Sequence, residues 1–110
     1  MGIKFSRITQ KEGLEELIKS SNDRPVVIFK HSNSCPISAA AYREMENLVG
    51  DVSLIDVQGA QDVSLEIESR TGVPHESPQV IILRNGKAVW NASHFDVKAT
   101  AVAEAVRANG

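Results

Sequence analysis

The sequence predicts an α/β domain built on a mixed β-sheet. The first observation is a continuous apolar run, Val26-Val27-Ile28-Phe29, of the kind found in strands buried on both faces. The second is a helix-like stretch from Ile37 to Leu48 after that run, succeeded by a strand-like segment from Val52 to Val57. Strand, helix, strand at this length is a βαβ unit, so its two strands should be parallel. The third is Asn85-Gly86, a two-residue hairpin signal between Val80–Leu83 and Ala88–Trp90, which makes those two strands antiparallel. At 110 residues and 42% hydrophobic, the chain fits one domain spanning 1–110.

In order, Lys4 to Ile8 alternates polar and apolar residues and is a candidate short edge strand. Thr9 and Glu12 form a capping-box pair that opens a helix, with Leu14, Leu17 and Ile18 on one apolar face. Asn22-Asp23-Arg24-Pro25 ends it, since the residue before proline is biased away from helix. After the Val26–Phe29 strand, His31 to Ser34 is a loop. In the next helix Ile37, Ala41, Met45 and Leu48 recur at helical spacing, and Gly50 supplies a stop. Asp62 to Arg70 is ambiguous in period: Val63, Leu65 and Ile67 alternate, while Val63 and Ile67 alone suit a helix. The polar residues between them and Gly72 after them favour the helix. Gly72 to Pro78 is a loop with two prolines. A last helix covers Val97 to Ala108, with Val102 and Val106 inward. The order is βαβαβαββα: four main strands, the candidate edge strand and four helices.

The chemistry centres on the single cysteine, Cys35. It sits at the strand-to-helix junction, and Pro36 after it is favoured at a first helical position. Cys35 is therefore expected at or beside a helix N-cap, where free N–H groups and the helix dipole favour an anion. A thiol held there ionises more easily, and the thiolate is the reactive form. Ser38 completes a Cys-x-x-Ser pattern. It lies one turn on, close enough to donate a hydrogen bond to the thiolate, but it cannot resolve a mixed disulfide. The pattern predicts a one-thiol exchanger regenerated by an outside thiol. The competing reading is a buried structural cysteine, since free Cys is among the most buried residue types; the strand, proline and serine around Cys35 favour redox chemistry.

Composition narrows the partners. The net charge of −2 comes without any basic run, which argues against nucleic acid. No apolar run approaches the roughly 20 residues of a membrane span, and Met1 to Phe5 lacks a signal-peptide core. One cysteine excludes an internal disulfide framework and points to a reducing, cytoplasmic setting. Cys35 and the three histidines have no zinc-type spacing, so no metal is expected.

The element order, the Cys at a strand-helix junction and a proline just before the next-to-last strand resemble thioredoxin. The local words Lys30-His31-Ser32, Ser34-Cys35-Pro36-Ile37-Ser38, Thr71 to Gln79 (including His75-Glu76-Ser77-Pro78-Gln79) and Asn85-Gly86-Lys87 are similar to the monothiol bacilliredoxins of the bacillithiol system. Ser34 departs from the pattern, threonine being commoner there, but both carry a hydroxyl. The resemblance implies a thioredoxin-like fold and an oxidoreductase in which Cys35 removes bacillithiol from mixed disulfides on client proteins. Bacillithiol is then the thiol co-substrate, with no tightly bound cofactor. The resemblance also implies that Pro78 is a cis proline facing Cys35, although most X–Pro bonds are trans. Ser77 beside it could pair with an extended client as a short added strand.

Unlike thioredoxin, the strand before the cysteine carries no acid. Glutaredoxins place a lysine much as Lys30 is placed, to bind the carboxylate of their thiol; a solvated strand-end lysine is the equal alternative. His31 and His75 either tune the Cys35 thiol or are solvated loop histidines, the commoner case. His94 caps the last helix or lies on the surface, and Arg43 faces solvent. Two other functions compete. A monothiol glutaredoxin using glutathione or an iron–sulfur cluster would need a Cys-Gly-Phe-Ser motif and a Gly-Gly turn, and neither is present. A non-catalytic thioredoxin-fold adaptor would carry an inert Cys35.

Overall fold

The computed structural model describes residues 3–32 and 36–110. Its elements are β1 (Ile3–Arg7), α1 (Lys11–Ser20), β2 (Val26–His31), α2 (Pro36–Glu46), β3 (Gly50–Asp56), α3 (Gln61–Thr71), β4 (Gln79–Arg84), β5 (Lys87–Ser93) and α4 (Ala99–Ala108). A 3₁₀ turn over His94–Asp96 precedes α4. The sheet order is β1-β3-β2-β4-β5. β3 runs parallel to both β1 and β2, while β4 is antiparallel to β2 and to β5. The sheet is mixed, as expected, and the edge strand is real.

Alternation along the central strands divides the apolar residues between two cores. Val27 and Phe29 of β2 face α2 and α4, packing with Met45, Leu54, Ile82 and Val102. Val26 and Ile28 face α1 and α3, packing with Leu14, Ile55, Val63, Ile67 and Ile81. Covering both faces is what lets β2 read as an unbroken apolar run. In α3, Val63 and Ile67 are buried and Leu65 is 61% exposed, so the i, i+4 pair defines the inner face. Gly72 closes that helix at φ +75, a conformation open to glycine at little cost. Asn85 and Gly86 both have positive φ, 55 and 76, the turn whose twist matches a hairpin.

Some boundaries differ from the sequence expectation. The Thr9–Glu12 capping box does not form; Gln10 is the N-cap, without a side-chain cap bond. The Ile8 N–H donates to the Leu54 carbonyl at 3.0 Å, keeping the chain in line with the sheet until α1 can start at Lys11. Helix α2 ends at Glu46 through tight turns, Asn47 N–H to Glu44 C=O and Leu48 N–H to Met45 C=O. Gly50 therefore opens β3 rather than stopping the helix. Helix α4 begins at Ala99, two residues after Val97, and its first N–H donates to Glu44 Oε1 of α2 at 2.9 Å.

One end of the sheet is fastened by side chains. Ser21 is fully buried; its Oγ donates to Ile18 C=O and accepts the Gly86 N–H at 2.9 Å, and its carbonyl accepts the Asn85 N–H at 2.7 Å. Arg84 donates to the carbonyls of Ser21, Asn22 and Asn109. Arg70 pairs with Glu15, joining α3 to α1.

Candidate active site at the opposite end of the sheet

β2 runs toward the cysteine and β4 runs away from the Ser77–Pro78 pair. Their register pairs Lys30 with Gln79. The start of α2 and the residues before β4 therefore lie at the same end of the sheet. Cys35, with Asn33 and Ser34, lies outside the described residues. Pro36, next in sequence, is the first residue of α2, the position expected of it. Ser38 is fully buried, and its Oγ accepts the Ser32 N–H at 3.2 Å. A hydroxyl accepting one bond still has its own proton to donate.

The Ser77–Pro78 peptide bond is cis, and Pro78 is buried. The Pro78 carbonyl accepts the His94 N–H at 2.9 Å. Neither the N–H nor the C=O of Ser77 makes a backbone hydrogen bond among the described residues. The loop leading to them is shaped by Gln79, which sequence reasoning passed over although it closes the His-Glu-Ser-Pro-Gln word. Gln79 is 1% exposed, donates to Pro74 C=O at 3.1 Å and accepts the Glu76 N–H at 3.4 Å. Its signal was its place as first residue of a strand antiparallel to β2.

Lys30 is not a solvated strand-end lysine. It is fully buried, and its Nζ has no hydrogen-bond partner among the described residues. Alternation along β2 turns it toward α3, and burial pushes its amine down to about 8, with Glu68 and Glu76 opposing. Among the described residues, neither Lys30 Nζ nor Ser77 Oγ, both buried, has a hydrogen-bond partner.

His31 lies on the other face, toward α2. Its ring stands 5.6 Å from Phe29 and 5.3 Å from Tyr42, which stacks on Phe5 at 4.8 Å. Burial lowers the His31 pKa, with Asp56 opposing and Arg7 adding to the shift. His75 is exposed and shares a 3.2 Å hydrogen bond with Ser64, while its N–H donates to Glu68 Oε2. Burial and the Lys30 charge lower its pKa as well. His94 is a surface residue, half exposed, with Nε2 3.2 Å from Glu76 Oε1; it does not cap α4, whose N-cap is Lys98. Arg43 is exposed, as expected. Among the described residues no three His, Cys, Asp or Glu side chains are grouped to hold a metal ion, and no helix is long and apolar enough to cross a membrane. A cavity of about 650 Å³ lies at the fastened end, beside Pro25, Leu48 and Val106, away from this chemistry.

Known structures share this architecture. A thioredoxin-fold protein described as a candidate oxidoreductase is 33% identical over 92% of each chain, with a TM-score of 0.84. Thioredoxin from Fasciola hepatica is 16% identical, covering 94% of this chain and 98% of its own, with a TM-score of 0.74. Thioredoxin f from spinach chloroplast is 20% identical, covering 96% and 93%, with a TM-score of 0.70. The fold is that of thioredoxin, and the chain, with Cys-x-x-Ser in its sequence, falls among the thiol redox proteins of this fold. More closely, residues 6–102 match the monothiol bacilliredoxin family, BrxC, and the chain belongs to that family.

Proposed function

We propose that this protein is a cytoplasmic thiol-disulfide oxidoreductase that removes bacillithiol from mixed disulfides on client proteins. The observation that carries the reading is family membership over residues 6–102 in a chain whose only thiol is Cys35. The Cys35 thiolate attacks the bacillithiol sulfur of the client's mixed disulfide. A new S–S bond joins Cys35 to bacillithiol, the client–bacillithiol S–S bond breaks, and the client leaves as a thiolate that takes a proton from water. A second bacillithiol thiolate then attacks the cap, releasing bacillithiol disulfide and the Cys35 thiolate. Disulfide count is conserved in each step, so the exchange consumes no external oxidant or reductant besides bacillithiol.

The residues divide the work. Pro36 starts the helix whose N-terminal field favours the thiolate. Ser38 donates its hydroxyl proton to the same sulfur. The free backbone of Ser77, beside Pro78, receives an extended client segment. Client recognition through backbone suits an enzyme with many substrates. Lys30 and His31, turned to opposite faces of β2, border the site from below.

The test offers reduced protein a client capped with bacillithiol or with glutathione and reads the products by intact mass. One bacillithiol on Cys35, matched by one freed client thiol and lost in Cys35→Ser, supports the reading. Transfer of the glutathione cap alone, or a visible iron–sulfur absorption in protein purified without oxygen, overturns it.

A further inference from the structure

A second feature of the same end of the sheet faces α2. The parallel strands β1, β3 and β2 finish side by side, and their last residues, Arg7, Asp56 and His31, open onto a cleft of about 370 Å³. Leu54 lies within it, and Ala39, Tyr42 and Arg43 of α2 wall it. We propose that this cleft seats the small-molecule half of the mixed disulfide and selects low-molecular-weight thiols that carry carboxylates. The inference rests on the thiol-exchange reading above and names the ligand chemistry of that site.

Position is the first argument. Crevices outside the carboxyl ends of parallel strands are where α/β sheets bind ligands. Ala39 lies in the first turn of α2, three residues after Pro36 and hence within about 5 Å of it along the helix axis, so the cleft borders the start of the helix next to Cys35. Its volume suits a small molecule rather than a protein segment.

Charge is the second. Arg7 and Arg43 stand at the cleft, and neither pairs with a carboxylate among the described residues. A guanidinium presents a planar fork that matches a carboxylate, and two unpaired forks around one small cleft call for an anionic ligand. Asp56 is the one acid in the lining; its Oδ1 already accepts the Gln58 N–H at 3.1 Å, and it would favour an ammonium on the ligand. The His31 and Tyr42 rings provide an apolar wall.

The reaction transfers the cap R from client to enzyme: client–S–S–R and the Cys35 thiolate give client thiolate and Cys35–S–S–R. The experiment tracks client-thiol release by reduced protein from one client capped with either mercaptosuccinate, a dicarboxylate, or 2-mercaptoethanol, which is neutral. The ratio of the two rates in wild type is compared with that in Arg7→Gln/Arg43→Gln, which cancels the intrinsic reactivity of each cap. The ratio should fall about five- to tenfold in the double variant, with the mercaptosuccinate rate bearing most of the loss. Arg24→Gln, at the fastened end of the sheet, should leave the ratio unchanged. An equal fall for both caps, an unchanged ratio, or the same fall in Arg24→Gln would overturn the cleft assignment while leaving thiol exchange standing. Wild type that removes neither cap would overturn the thiol-exchange reading itself.

Discussion

Lys30 and Gln79 face one another across the β2–β4 ladder, both buried, yet among the described residues only the Gln79 side chain has hydrogen-bond partners. A buried amine without a partner costs stability whenever it is charged. Its folded pKa, about 8, lies below the ordinary lysine value of 10.5. Between these values the unfolded chain holds a proton that the folded one does not, so stability rises with pH across roughly pH 8 to 10.5 and the penalty is full below 8. Glu68, Glu76 and His75 are the charged or titratable groups acting on it. Lys30→Met should raise unfolding free energy at pH 7 by about 1–3 kcal/mol and flatten that rise, read by urea denaturation across pH. A variant less stable at pH 7 than wild type would show that the amine has a stabilising role.

Gln79→Leu removes the acceptor of the Glu76 N–H and the donor to Pro74. Two backbone groups of the 72–78 loop lose their partners, costing about 1–3 kcal/mol. Hydrogen exchange should quicken at Glu76 more than in β2 or β4. Uniform quickening would mean that Gln79 holds the sheet rather than the loop.

Ser21→Ala leaves the Gly86 N–H without its acceptor and frees the Ile18 carbonyl. The expected loss is about 1–2 kcal/mol, seen as a lower urea midpoint with an unchanged slope. Ser21→Thr keeps the hydroxyl and should recover part of it.

Glu44 caps α4 from a neighbouring helix, through Ala99. Glu44→Ala should cost about 1 kcal/mol and speed exchange in the first turn of α4. Glu44→Gln retains an acceptor oxygen and should fall between the two.

Ser38→Ala tests the proposed proton donor to the Cys35 sulfur. Losing a hydrogen bond to the charged form raises a thiol's pKa, so alkylation of Cys35 against pH should shift to higher pH. Labelling that is unchanged across pH would confine Ser38 to its bond with Ser32.

Elements whose determinants are local were legible in the sequence. The β2–α2–β3 unit, the Asn85-Gly86 turn and the Gly72 stop each depend on a few adjacent residues. The Thr9 cap failed because β1 pairs with β3, more than forty residues on, and that pairing holds the chain in line with the sheet through Ile8, so that the helix is capped one residue later, at Gln10. The family words led to Pro78, and the Ser77–Pro78 bond is cis as they implied. They could not show that Lys30 is buried, since a lysine in sequence is read as solvated, and its burial depends on α3 and the loop that closes over it. Nor was the cleft visible: Arg7, His31 and Asp56 are separate strand ends in sequence and neighbours only once β3 lies between β1 and β2.

The clasp of Ser21 and Arg84 sits a strand length from the cysteine end, roughly 17–20 Å given the rise per residue of β4. Substitutions that far apart without shared partners generally add rather than interact. Selection, or a protein engineer, can therefore rewrite the words around Cys35 and the cleft beside them one letter at a time, while the distant clasp keeps the scaffold insured against each change. A lineage with such a layout can exchange one cellular thiol for another without first inventing a sturdier fold.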